Sequence, residues 1–202
     1  RGLGDVYKRQ AGAVQSGDED DYFQSSLFTI TRRRILWLLI LVLANGLTTK
    51  VIAMNDQILR DIVLLAAFIP LLIGTGGNVG AQSSTVVIRG LSTQKLKSLG
   101  AFKVVLKEAI TGALLGIFMM VVVLPFAWWQ GEGPLIAAAV GISLISITTL
   151  AATTGAILPL LFDKMGLDPA LMSSPFITTV TDIAGVFIYL TTAKWLLNYS
   201  IL

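Results

Sequence analysis

The 202-residue chain contains no cysteine and no histidine, and only 13% of its residues are charged. Each absence excludes a chemistry. Without thiols or imidazoles there is no disulfide framework, no Cys/His zinc, haem or iron–sulfur ligation, and no thiol nucleophile or histidine base. A metal ion here meets oxygen ligands alone, and carboxylates, carbonyls, hydroxyls and water suit the hard cations Mg²⁺, Ca²⁺ and Mn²⁺. A soluble domain carries about 25% charged residues. Half that share, together with 54% hydrophobic residues and a mean hydropathy of +0.79, makes lipid the solvent of this chain.

Neither a Walker-type glycine loop nor a Gly-x-Ser-x-Gly nucleophile elbow occurs. An intramembrane enzyme would then need an Asp pair or a Ser–Lys dyad, yet only Asp182 and, less deeply, Glu108 lie within apolar runs. A single deep carboxylate makes a poor acid–base pair and a good cation site, so no enzyme is expected. The net charge of +3 does not point to nucleic acid, because the charges form no basic stripe on a soluble face. They fall mainly in the gaps between apolar runs, as topology signals do.

Residues 1–34 are polar and acidic and read as a tail. Asp18, Glu19, Asp20 and Asp21 precede the first apolar run, and Arg32, Arg33 and Arg34 abut it. Residues 1–10 share no pattern with the rest of the chain and resemble a cloning or sequencing scar. From residue 35 the chain is membrane-type sequence. A hydrocarbon core of about 30 Å needs about 20 apolar residues per helix, and five segments qualify: 35–54, 62–87, 104–129, 135–162 and 171–197. The first is the weakest, with Lys50 placed to snorkel near its end. The third ends on an interfacial pair, Trp128 and Trp129, and the fourth is long enough to tilt, bend or protrude. Lys and Arg concentrate before the first span and around residues 89–107. The expected topology is a multi-pass cell-membrane protein with a cytoplasmic N-terminus and the C-terminus outside.

Two stretches are chemically unusual. In the last span Pro175, Thr178, Asp182, Gly185 and Tyr189 recur at three and four residues and share one stripe. A charge at the bilayer centre costs several kcal/mol at least. Asp182 should therefore face a water-filled cavity, a cation or a partner helix; the competing reading is a protonated acid gluing helices together. In the second span Pro70, Gly74, Asn78 and Gln82 are spaced by four, while Gly76, Gly77 and Gly80 strip bulk from adjacent faces. This helix either kinks and lines a cavity, or packs closely with its amides bonding across helices. Glu108, next to Lys107 near the start of the third span, reads as a salt-bridge partner of the basic loop or as an entry site for cations. The hydroxyls of the fourth span, Ser143, Ser146, Thr148, Thr149, Thr153 and Thr154, either line a path or serve packing.

The run Pro70-x₃-Gly74-x-Gly76-Gly77-Asn78-x-Gly80-x-Gln82-Ser83, with Val86-Val87-Ile88-Arg89-Gly90 after it, resembles the signature helix of the MgtE family of magnesium transporters. Asp168-Pro169-Ala170 leading into Pro175-Phe176-x-Thr178-Thr179-x-Thr181-Asp182 is similar to that family's last helix. The resemblance covers about residues 30–200. It implies an all-α integral membrane fold: a homodimer of five-helix subunits, ten helices in all, embedded in the bilayer over residues 35–202. A Mg²⁺-selective pore would lie near the two-fold axis, with the carboxylate of Asp182 holding a largely hydrated ion. Thr178, Thr181 and Asn78 are expected as weaker pore-lining metal contacts. Pro70, Gly74, Gly76, Gly77, Gly80, Gln82, Pro175, Gly185 and Glu108 are expected to line or support the pore. Full-length members add a cytosolic domain and a pair of regulatory CBS domains, and nothing of that size precedes Arg32. Residues 11–31 are then expected to be a remnant of the connecting helix, and the chain either a fragment or a member without the sensor. Two other classes stay open: a secondary cation transporter coupled to H⁺ or Na⁺, and a membrane scaffold that transports nothing. No inverted repeat with paired broken helices favours the first of these.

Overall fold

The computed structural model describes residues 26–93, 96, 100–129 and 133–198. The scar-like residues 1–10, the acidic run at 18–21, Lys95 and Lys97 lie outside them. Every element formed by the described residues is helical: α1 (Leu27–Ala53), α2 (Asp56–Asp61), α3 (Leu64–Ser92), α4 (Ala101–Trp129), α5 (Gly133–Lys164) and α6 (Pro169–Leu196). In hydrocarbon a helix satisfies its own backbone groups, which is why long apolar runs settle into this form.

Among the described residues, four helices are long and apolar enough to cross a membrane: α3, α4, α5 and the Pro175–Leu196 part of α6. Hydropathy alone predicts five crossings. The first segment is helical too, within Leu27–Ala53. The helix begins earlier than hydropathy suggests, at Leu27, so that Arg32, Arg33 and Arg34 lie within α1. Backbone helicity does not end where lipid solubility ends. The short α2 is a further difference from the expected segments. Its Ile58 is fully buried and closes one end of the bundle against a core containing Leu65, Phe68 and Leu72.

The bundle is organised around α5. Its apolar window is 61% buried, against 17% for α4, and α5 packs on α3, α4 and α6, while α1 packs mainly on α6. The lipid-like face of α4 carries Phe102, Leu106, Ile110, Leu114, Phe118 and Phe126, all exposed. Between apolar helices in lipid there is little hydrophobic drive to associate, so small residues that permit close approach decide the packing. Gly112 and Gly116, one turn apart, seat α4 on α5: a Cβ at Gly112 would stand 2.6 Å from the Thr148 carbonyl oxygen, and one at Gly116 would collide with the Thr148 hydroxyl. The Gly-x₃-Gly spacing is the sequence signal for that contact. The α5–α6 turn closes on Gly166, whose φ of +71° suits a residue without a Cβ. The Leu167 N–H donates back to the Phe162 carbonyl at 2.9 Å, capping α5.

Candidate functional site

The glycines of α3 bring it against α5 and α6. A Cβ added at Gly76 would stand 2.7 Å from the Thr181 Cγ2, one at Gly77 would lie 3.8 Å from the Thr178 Cγ2, and one at Gly80 would come to 2.5 Å from the Ile177 Cγ2. Rising numbers on α3 meet falling numbers on α6, so the two helices are antiparallel. Continuing that register by one turn sets Gly74 level with Asp182 and Asn78 level with Thr178. Gly155 of α5 abuts the Gly80 carbonyl, and the buried Ser83 hydroxyl donates to the Ala152 carbonyl at 2.8 Å. Close backbone approach at the glycines is what the fold displays, while the Asn78 and Gln82 amides are exposed. The helix runs unbroken from Leu64 to Ser92 despite Pro70 inside it.

With Gly76, Val79, Gly80, Ser83 and Val87 turned inward, the stripe Pro70, Gly74, Asn78, Gln82 is turned outward, and all four residues are exposed. A Cβ at Gly74 would meet nothing within 4 Å. Asn78 is the central residue of Leu64–Ser92, so the amide is exposed at mid-span. At the upper end of the stripe Pro70 has no N–H to give the Ala66 carbonyl.

The predicted stripe of α6 divides. Thr178 and Asp182 are half-buried, one turn apart, at the edge of the exposed α3 face, and Pro175 is half-buried above them. Gly185 and Tyr189 are buried; Gly185 faces Ile147, 3.6 Å from where its Cβ would be. Thr181 is fully buried, donates its proton to the Ile177 carbonyl and fills the space beside Gly76. It packs α6 on α3 and does not reach the exposed face. Thr178 and Thr179 both donate to the Pro175 carbonyl, at 3.0 and 2.9 Å. Asp182 lies within one turn of the middle of Pro175–Leu196. Among the described residues no group of three or more carboxylates, histidines or cysteines comes together.

The α5 hydroxyls are largely committed within their own helix: Thr148 donates to the Leu144 carbonyl, Thr149 to Ile145, Thr153 to Thr149 and Ser146 to Ile142, at 2.6–3.0 Å. Glu108 is half-buried on α4 and, among the described residues, forms no salt bridge; Lys103 and Lys107, its nearest bases in sequence, are exposed. It instead lines a cavity of about 170 Å³ with Gln82, Ser83 and Thr111. Sequence reasoning misses Thr111, although its place three residues after Glu108, on the same helix face, is the available signal.

These features define the class: a polytopic α-helical membrane protein with a polar, carboxylate-edged face exposed at the middle of its spans. The family model described as "MgtE: Divalent cation transporter" matches residues 69–192, and the chain belongs to that family. It is 38% identical over 194 residues to the magnesium transporter MgtE of Thermus thermophilus, covering 96% of this chain and 42% of that protein. It is 32% identical over 205 residues to the magnesium transporter MgtE of Enterococcus faecalis, covering 98% of this chain and 44% of that protein. The MgtE of Bacillus subtilis is 31% identical over 172 residues, covering 85% and 38% respectively. The chain thus spans about two fifths of the length of the curated relatives it matches.

Proposed function

We propose that residues 35–202 form the pore-bearing part of a magnesium transporter, acting as a homodimer in the cell membrane with the N-terminus cytoplasmic and the C-terminus outside. The observation that carries this reading is the exposed stripe of α3 at mid-span with Asp182 at its edge. Placing an amide against hydrocarbon costs about 4–8 kcal/mol, and the stripe holds two, Asn78 and Gln82. Such a face needs water or a second copy. A two-fold arrangement of α3 supplies both, because the same stripe faces itself across the axis and encloses a wet path.

In that arrangement two Asp182 carboxylates offer about two negative charges to one dication. Mg²⁺ surrenders water reluctantly. A path with an open wall at Gly74, flanked by the Asn78 amide and by Thr178, suits an ion that keeps most of its hydration shell and is held through its waters. The absent bulk at Gly74 gives the shell its room. Other divalent cations of similar hydration, Mn²⁺ and Co²⁺ among them, compete for the same carboxylates. The α1 helix supplies the fifth crossing, with Arg32, Arg33 and Arg34 at the cytoplasmic headgroups.

The test is Mg²⁺ influx into liposomes carrying wild-type or Asp182→Asn protein. We expect the substitution to reduce flux at least tenfold while leaving the thermal unfolding midpoint in detergent unchanged. Full flux in the variant would remove Asp182 from the pathway. Dependence of wild-type flux on an opposing proton or Na⁺ gradient would turn the reading to a coupled carrier, and absence of flux for any ion would leave a scaffold.

A further inference from the structure

The cavity of about 170 Å³ between α3, α4 and α5 stands apart from the α3–α6 edge where Asp182 lies, and its wall chemistry is one-sided. Its polar atoms come from Gln82, Ser83, Glu108 and Thr111; the other walls are aliphatic. The Thr111 hydroxyl gives its proton to the Lys107 carbonyl at 2.9 Å, and the Ser83 hydroxyl gives its proton to the Ala152 carbonyl at 2.8 Å. A hydroxyl has a single proton to donate, so toward the cavity both present lone pairs alone. The Glu108 carboxyl group offers two acceptor oxygens, and the Gln82 amide offers a carbonyl oxygen beside its two N–H donors. Among the described residues no lysine or arginine lines the space.

A lining in which acceptor oxygens predominate around one carboxyl group disfavours anions and suits a particle whose outer surface is all donors. A hydrated cation is such a particle, since every coordinated water points its protons outward. The volume admits several waters. Gln82 belongs both to this cavity and to the exposed stripe of α3, and it lies eight residues from Gly74, the residue level with Asp182. That is about 12 Å along the helix at 1.5 Å per residue.

We propose that Glu108, with Gln82, Ser83 and Thr111, forms a second station for a hydrated divalent cation, displaced along α3 from Asp182 toward the Arg89 end of the bundle. Its place on a transport path rests on the proposed pore role of Asp182; its capacity to bind does not. Ions at two stations repel one another, and this loosens each enough to leave, as successive sites in a conducting path require.

The experiment uses Mn²⁺ as a paramagnetic probe, titrated into the full chain in nanodiscs and read by electron paramagnetic resonance. In the Asp182→Asn background we expect one Mn²⁺ population to persist. Adding Glu108→Gln should weaken it at least tenfold, and adding Thr111→Val, which keeps the side-chain volume, severalfold. Adding Glu108→Asp, which keeps the charge, should hold affinity within about fivefold. Loss of all Mn²⁺ binding in Asp182→Asn alone would overturn the second station. So would unchanged binding after Glu108→Gln, or an equal loss in the Gln and Asp variants, which would assign the effect to shape instead of charge. Failure of the Asp182 reading appears separately, as undiminished Mg²⁺ flux in the single Asp182→Asn variant.

Discussion

At the residue scale, two glycines six residues apart on the same helix do opposite work. Gly80 is surrounded: a Cβ there would reach 2.5 Å from the Ile177 Cγ2 and 3.2 Å from the Ala151 carbonyl oxygen. Gly74 is open, with nothing within 4 Å of its missing Cβ. Overpacking a tight interior contact costs about 1–3 kcal/mol, whereas Gly→Ala on an unobstructed helix face gains up to about 1 kcal/mol in helix propensity. Gly80→Val should therefore lower the thermal unfolding midpoint in detergent, and Gly74→Ala should hold or raise it. Flux should separate them the other way for larger side chains: Gly74→Leu is expected to fold as well as wild type while cutting Mg²⁺ flux severalfold, because the branched chain occupies the space opposite Asp182. A Gly74→Leu protein that conducts fully would place the ion's path elsewhere.

At the scale of the element, α5 shows why polarity in a helix is not by itself a lining. Ser146, Thr148, Thr149 and Thr153 return their protons to carbonyls four residues back, so these hydroxyls are absorbed locally, while the buried Ser143 hydroxyl has no partner among the described residues. Thr149→Val and Thr153→Val should change Mg²⁺ flux by less than about twofold, a result checked in the same liposome assay. The glycine pair of α4 makes the complementary case. Gly112→Val would push a side chain into the Thr148 carbonyl, 2.6 Å from its Cβ, and should separate α4 from α5. A loss of about 2–3 kcal/mol is expected from overpacking against backbone, which cannot move aside as a flexible side chain can; a denaturant titration in detergent reads it. The long helices are legible from apolar run length, with ends a few residues off. The short α2 is not, because six polar-flanked residues carry no periodicity and only the burial of Ile58 reveals what they do.

At the scale of the whole molecule, the exposed α3 stripe and the lipid-like face of α4 point away from the core in different chemical characters, and only the first calls for a partner. The absence of cysteine makes this testable without removing any native thiol. Asn78→Cys should give a cross-linked dimer in membranes treated with a short bis-maleimide, whereas Leu114→Cys, on the apolar outer face of α4, should stay monomeric in the same gel. Cross-linking at Leu114 and none at Asn78 would assign the interface to the wrong face of the bundle.

Asp182 is evident from the sequence because an acid in an apolar run has few explanations, and charge is costly wherever lipid is the solvent. The same holds for the helical class and the limits on metal chemistry, which derive from composition and from the family motif. The tertiary structure decided which face of each helix meets which neighbour. Period and spacing put Pro175, Thr178, Asp182, Gly185 and Tyr189 on one stripe, but helices cross at an angle, so one end of that stripe is buried against Ile147 and the other borders the open face of α3. Thr181 is adjacent to Asp182 in sequence and locked in packing, and Glu108 meets Gln82, 26 positions earlier, across a cavity. Those pairings depend on backbones brought together at glycines, a three-dimensional fit that one chain's periodicity does not encode.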